Sequence, residues 1–219
     1  MPAEIDLLAH YPRNGGRAAQ RPVITEEDKR VSKQFGRDYF DGDRRYGYGG
    51  FSYHPRFWTN TVRHIRDVYQ LKEDAAILDI GCAKGFMLYD FKLLMPGARL
   101  AGIDISSYAI ENALQPVKPL VQIGDAKALP YASKSFDLVL AINTIHNLPY
   151  EECKQSLREI QRVSRQHAFV MVDAFRTEQQ RQAMLHWVLT AETMLSTGDW
   201  LKLFADSGYT GDFAWWTVE

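Results

Sequence analysis

The ten residues from Ile77 to Phe86, ILDIGCAKGF, bring together groups that could hold a ligand. An apolar run carries a carboxylate, Asp79, two residues ahead of Gly81, and Ala83 and Gly85 follow at alternate positions. Small residues in such a turn permit positive φ and let a ligand approach the backbone without meeting a Cβ. A helix beginning at Phe86 adds free N–H groups at its first turn. The spacing predicts a buried strand, a tight turn and a helix, and it suits an adenosine-containing cofactor.

Two cofactor classes use a turn of this kind. Dinucleotide sites carry G-x-G-x-x-G, with a last glycine that packs helix on strand and a pyrophosphate on the helix N-terminus. Here Phe86 occupies the position of that last glycine. An acid is also unfavourable beside a pyrophosphate, whereas beside an ammonium or sulfonium it makes a charge-assisted contact. The segment resembles motif I of the class I S-adenosylmethionine-dependent methyltransferases, (D/E)xGxGxG. Asp79, Gly81 and Gly85 match, and Ala83 stands in for the middle glycine. The resemblance implies S-adenosylmethionine as cofactor, lined by Asp79, Gly81, Cys82, Ala83, Lys84 and Gly85.

The following segments continue the pattern. Arg99 to Ile103 reads as a strand ending in Asp104, and an acid about 20 residues past the glycine turn takes ribose hydroxyls in adenosine-binding folds. A carboxylate accepts both bonds from a vicinal diol; a helix N-cap by Asp104 or Ser106 is the alternative. Asp104-Ile105-Ser106 resembles the family's motif II, which places Asp104 and Ile105 on the cofactor. A third strand, Leu120 to Ile123, leads to Gly124-Asp125-Ala126. By resemblance, Asp125 meets the adenine amino group and the Ala126 N–H meets the ring; an ordinary turn is the alternative.

Phe136 to Ile142 is an uninterrupted apolar run, as a buried parallel strand should be. In the family, the segment after it faces the methionine end of the cofactor and the substrate, so Asn143 is expected to hold the cofactor's amino acid end. His146 is the candidate general base, because its unperturbed pKa lies near neutrality; packing or capping is its structural alternative. Ala168 to Val172 is a fifth strand, with Asp173 and Arg176 bordering the substrate pocket. The strand ends at Asp79, Asp104, Asp125, Asn143 and Asp173 fall on one edge, where open parallel sheets bind ligands.

Other elements must position these residues. Residues 1–24, with Pro2, Pro12, Asn14-Gly15-Gly16 and Pro22, read as a flexible N-terminal arm. Residues 25–70 read as a helical cap or lid. Its first helix starts at the N-cap Thr25, with Asp28 three residues on, and its second runs from about Pro55 to Tyr69. Between them lies a glycine-hinged aromatic loop, Asp41 to Phe51. Related small-molecule methyltransferases fold such a segment over the cofactor. The resemblance places Tyr48 on the cofactor and Tyr46, Tyr53 and His54 toward the substrate, with a surface turn stacked on a helix as the alternative. Glycine hinges suit a gating loop that excludes water.

Residues 71–219 form the expected cofactor domain, with helices near Phe86–Leu94, Glu151–Val163 and Asp199–Ser207. Its last strand, Asp212 to Val218, is antiparallel in the family. The expected fold is α/β, a Rossmann-like doubly wound, three-layer α/β/α arrangement. Its sheet is seven-stranded and mostly parallel, with an antiparallel C-terminal strand.

Composition bounds the function. The net charge of −1 predicts no broad phosphate-binding surface, so nucleic acid is not expected as a partner. Cys82 and Cys153 lie in unrelated elements and suggest neither a disulfide framework nor a metal site. No stretch reaches the roughly 20 apolar residues of a membrane span and no signal segment opens the chain, so a cytoplasmic location is expected. The oligomeric expectation is monomer or homodimer. The expected activity is in-line methyl transfer to oxygen, nitrogen or carbon of a small molecule such as a sugar, glycan precursor, lipid or secondary metabolite. The (N/D)PPY motif of nucleic-acid and glutamine N-methylation is absent where Asn143-Thr144-Ile145-His146 stands. A catalytically silent binding protein of the same fold is the alternative. Aminopropyl transfer would need acids in this loop, which offers none.

Overall fold

The computed structural model describes residues 2–12 and 23–217, so the expectations about residues 13–22 and 218 lie outside the described residues. Strands β1 (Ala76–Ile80), β2 (Arg99–Asp104), β3 (Val121–Ile123), β4 (Phe136–Ile142), β5 (Ser164–Phe175), β6 (Leu195–Ser196) and β7 (Asp212–Trp216) build one sheet. Its order is β3-β2-β1-β4-β5-β6, with β7 also paired to β5. Every one of these pairings is parallel. The helices are α1 (Glu26–Ser32), α2 (Arg37–Asp41), α3 (Pro55–Val68), α4 (Phe86–Leu94), α5 (Ser107–Glu111), α6 (Tyr150–Val163), α7 (Glu178–Trp187) and α8 (Thr197–Ser207).

Central strands of a parallel sheet are covered on both faces, and their alternate residues feed two layers. Leu78, Ile80, Val139 and Ala141 pack with Leu157 and Ile160 of α6 and Leu203 and Phe204 of α8. Ile77, Leu138 and Leu140 pack with Val62 and Ile65 of α3 and Leu88 and Phe91 of α4. Trp215 and Trp216 go to opposite layers in the same way. Parallel strands need crossovers, and α4 between β1 and β2 is one of them. The order of strand addition reverses between β1 and β4, with β2 and β3 on one side and β5 on the other, which makes their carboxyl ends the switch point where such sheets bind ligands.

Two expectations are corrected. The C-terminal strand is not antiparallel: Phe213 pairs with Val170 and Trp215 with Val172, in the same direction. The physical reason is the connection. Strand β6 already runs parallel to β5, and helix α8 between β6 and β7 is the crossover that brings the chain back to β5 in the same direction. The N-terminal segment is not loose over residues 2–12 either. Ile5 N–H donates to the Phe213 carbonyl, Phe213 N–H donates to the Ala3 carbonyl, and Leu7 and Leu8 are buried. The β7 edge supplies backbone partners that a sequence scan cannot see.

Candidate functional site

The turn after β1 is built by its small residues. Gly81 has φ +77°, and a Cβ there would lie 2.1 Å from Thr144 Oγ1. That hydroxyl lies 3.0 Å from the Ile80 carbonyl oxygen and 3.1 Å from that of Ile142, and so stitches the ends of β1 and β4 together. Gly85 (φ +75°) is the N-cap of α4. Ala83, where the family motif carries glycine, also has a positive φ of 48°. A residue with a Cβ is strained there by roughly 1 kcal/mol or more. Ala83→Gly is therefore expected to raise stability by about 0.5 kcal/mol, after glycine's extra unfolded-state entropy is subtracted. Denaturant unfolding would measure it.

Two acids sit side by side behind this turn. Asp79 is 4% exposed, and no described residue donates a hydrogen bond to its carboxylate. Burial, followed by the like charge of Asp104, pushes its pKa up to about 8. Asp104 accepts from Ala83 N–H (2.8 Å) and Ser106 N–H (2.8 Å). Burial raises its pKa, and those two bonds oppose the rise. A buried acid with no donor beside a second acid is a poor arrangement for stability and a good one for meeting a positively charged ligand. The residues present therefore fit S-adenosylmethionine. Cys82 is buried between the same acids, and burial holds its thiol well above the ordinary range, which makes it inert.

Ile105, which follows β2, and Ile123, which ends β3 opposite Asp104, are both exposed. Asp125 and Ala126 follow β3 and are half-buried. The Asp125 carboxylate accepts from Lys127 N–H and lies 3.4 Å from Lys127 Nζ, so it is partly engaged. Asn143 is exposed at the end of β4 with φ +52°. The five strand-end residues named from sequence thus share the carboxyl edge of the sheet.

The structure departs from sequence expectation at His146. It is 4% exposed. Its Nδ1 accepts the Asp173 N–H (2.9 Å), and its Nε2 faces the Asp173 carboxylate at 3.7 Å. Burial, opposed by Asp173, lowers its pKa and keeps it neutral. The only lone pair of the neutral ring is taken, so an acceptor's proton has nowhere to go on it. Its carbonyl also accepts Glu192 and Thr193 N–H. His146 joins the β4 exit to β5 and to the segment before β6. The backbone carbonyl of Asp173, buried with it, accepts the Trp200 Nε1–H at 2.9 Å. Arg176 is more than half exposed and pairs with Glu4 of the N-terminal segment at 2.9 Å, away from the turn.

The cap spans the cleft. On one side Ser106 Oγ donates to the Phe35 carbonyl, and Lys84 Nζ donates to Asp41 and to the Phe51 carbonyl. On the other, Tyr48 Oη accepts Leu189 N–H at 2.7 Å, its ring lies 5.9 Å from that of Trp187, and Lys33 pairs with Glu192. Tyr53 Oη and Thr59 Oγ1 both donate to one oxygen of buried Asp90 on α4. Tyr46 is half-buried beneath the Arg45 guanidinium. His54 caps α3 by accepting Arg56 N–H, so that ring serves the helix. Sequence reasoning missed Asp41, Tyr108, Phe35 and Asp90, because their partners lie 31 to 71 residues away. The Lys84 side chain leaves the turn for the cap, where its ammonium meets Asp41 and the Phe51 carbonyl.

The fold, the glycine turn and the acids at successive strand ends define the class I S-adenosylmethionine-dependent methyltransferase architecture. Residues 78–172 match the family model described as a methyltransferase domain, and the chain carries such a domain. It is 39% identical over 75 residues to a malonyl-[acyl-carrier protein] O-methyltransferase of Legionella pneumophila, covering 32% of this chain and 26% of that one. It is 29% identical over 116 residues to a tRNA (carboxymethyluridine(34)-5-O)-methyltransferase of Arabidopsis thaliana, covering 52% of this chain and 28% of that one. The chain thus spans about a quarter of the length of these relatives. Among solved structures it resembles a chain of the Haloferax volcanii complex between the Trm112 methyltransferase activator and a methyltransferase. The TM-score is 0.56 at 19% identity, over 67% of this chain and 66% of that one.

Proposed function

We propose that the protein transfers a methyl group from S-adenosylmethionine to oxygen, nitrogen or carbon of a small-molecule acceptor. The observation that carries this reading is the buried pair Asp79 and Asp104 beside a positive-φ turn at the carboxyl edge of the sheet. When bound, the cofactor supplies an electrophilic methyl group on a cationic sulfur. Asp104 takes the ribose hydroxyls, and Ile105 and Ile123 flank the adenine, with Asp125 and the Ala126 N–H at its edge. Asp79 meets the positive charge, and Asn143 orients the amino acid end. The cap loop, with Tyr46 and Tyr48, excludes water and aligns the acceptor for in-line displacement. Alignment and desolvation are what a protein adds to such a transfer.

With His146 held by Asp173, the acceptor's proton leaves to solvent or is already absent at reaction. An already ionised acceptor, such as a carboxylate, meets that condition. The balanced net charge of the chain and the aromatic cap favour a small molecule over a nucleic acid. No described helix is long and apolar enough to cross a membrane.

The engagement of His146 favours a second reading, a domain that binds the cofactor without turnover. Methyl-labelled S-adenosylmethionine offered with carboxylic acids, carrier-bound acyl thioesters, sterols, sugars and a uridine-rich RNA separates the two. Release of S-adenosylhomocysteine with one small-molecule class is expected. Binding with no release across all classes would establish the silent protein, and turnover with the RNA alone would overturn the acceptor class.

A further inference from the structure

Lys84 lies in the middle of the cofactor turn, between Ala83 and Gly85, yet it is 6% exposed. A buried lysine must find acceptors or lose its charge. It finds two, and both belong to the cap: the Asp41 carboxylate, at the end of α2, and the Phe51 carbonyl at 3.0 Å. These two acceptors flank the loop 42–50. One side chain therefore clamps both ends of the segment that carries Tyr46 and Tyr48 and that reaches Leu189 across the cleft. The other oxygen of Asp41 accepts the Tyr108 hydroxyl at 2.7 Å, from α5, immediately after Asp104-Ile105-Ser106. A single cap carboxylate is thus held by the turn after β1 and by the helix after β2, the two segments that would grip the nucleoside.

We propose that Lys84, Asp41 and Tyr108 form a latch that couples occupancy of the cofactor turn to closure of the loop 42–50 over the cleft, with Lys84 as its positioning residue. The latch rests on the methyltransferase reading for the identity of the ligand but not for its own existence. Arg44 and Arg45, both exposed in the latched loop, give trypsin a report on opening. Cleavage tracks the open population when opening and closing are fast.

In the ligand-free protein, Asp41→Asn is expected to speed cleavage at Arg44–Arg45 by about tenfold, and Tyr108→Phe by roughly threefold, with the far-UV spectrum unchanged. S-adenosylhomocysteine is expected to protect wild type at this site and to dissociate about tenfold faster from Asp41→Asn. A merely structural bond would lower the melting temperature without changing protection or dissociation. Equal cleavage of the ligand-free wild type, Asp41→Asn and Tyr108→Phe would overturn the latch. Failure of wild type to bind S-adenosylhomocysteine would instead sink the methyltransferase reading, and the ligand-free cleavage ratio would still decide the latch.

Discussion

Asp104→Ala is expected to weaken S-adenosylhomocysteine binding by about 100-fold or more. The carboxylate fixes the turn through Ala83 N–H and the start of α5 through Ser106 N–H, and it would accept both ribose hydroxyls. Hydrogen bonds to a charged group are worth about 1.5–3 kcal/mol each. Losing the ribose pair alone accounts for two orders of magnitude, at about 1.4 kcal/mol per factor of ten. Asp104→Asn keeps the shape and one accepting oxygen and should fall between wild type and Asp104→Ala. Isothermal calorimetry gives both constants. A loss below about threefold in a folded Asp104→Ala protein would remove Asp104 from the ribose site.

The second large effect is a pH dependence set by Asp79. Its pKa rises from the ordinary carboxylate value of 3.8 to about 8 on folding. Between those limits the native state holds more protons than the unfolded chain. The stability contribution is therefore present at low pH and lost as pH rises, by up to about 1.4 kcal/mol for each pH unit. Ligand binding runs the other way, because a cationic ligand needs the ionised acid. Affinity for S-adenosylmethionine is expected to increase up to about tenfold per pH unit from about pH 6 to pH 8 and then level off. Asp79→Asn removes both slopes, stabilises the ligand-free protein near pH 8 and weakens binding. Calorimetry and thermal melts across that range report the two trends. An affinity independent of pH in wild type would show that Asp79 does not face the ligand's charge.

Local rules made much of this molecule readable. The helix Phe86–Leu94 and the strand Phe136–Ile142 have the bounds expected from their apolar runs and from the Pro96-Gly97 stop. Thr25 and Asp28 form the capping box their spacing suggested, and Gly208 closes α8 in the left-handed conformation. The acids that end β1 and β2 were legible because strand, turn and helix are contiguous in sequence. What was not legible depends on distant partners. The direction of β7 follows from how α8 returns the chain to β5, and the fate of the Lys84 ammonium from a cap some forty residues upstream. His146 shows the limit most plainly. Its position after β4 marks the active edge, but only the tertiary fold reveals that Asp173 occupies its lone pair.

The most direct test of the central claim is a crystal structure with S-adenosylhomocysteine. The account predicts the nucleoside at the carboxyl ends of β1, β2 and β4. Its ribose hydroxyls should lie within hydrogen-bond distance of the Asp104 carboxylate and its adenine against Ile105, with the loop 42–50 closed above it. An empty cleft at saturating ligand, or a nicotinamide dinucleotide bound there in its place, would contradict it.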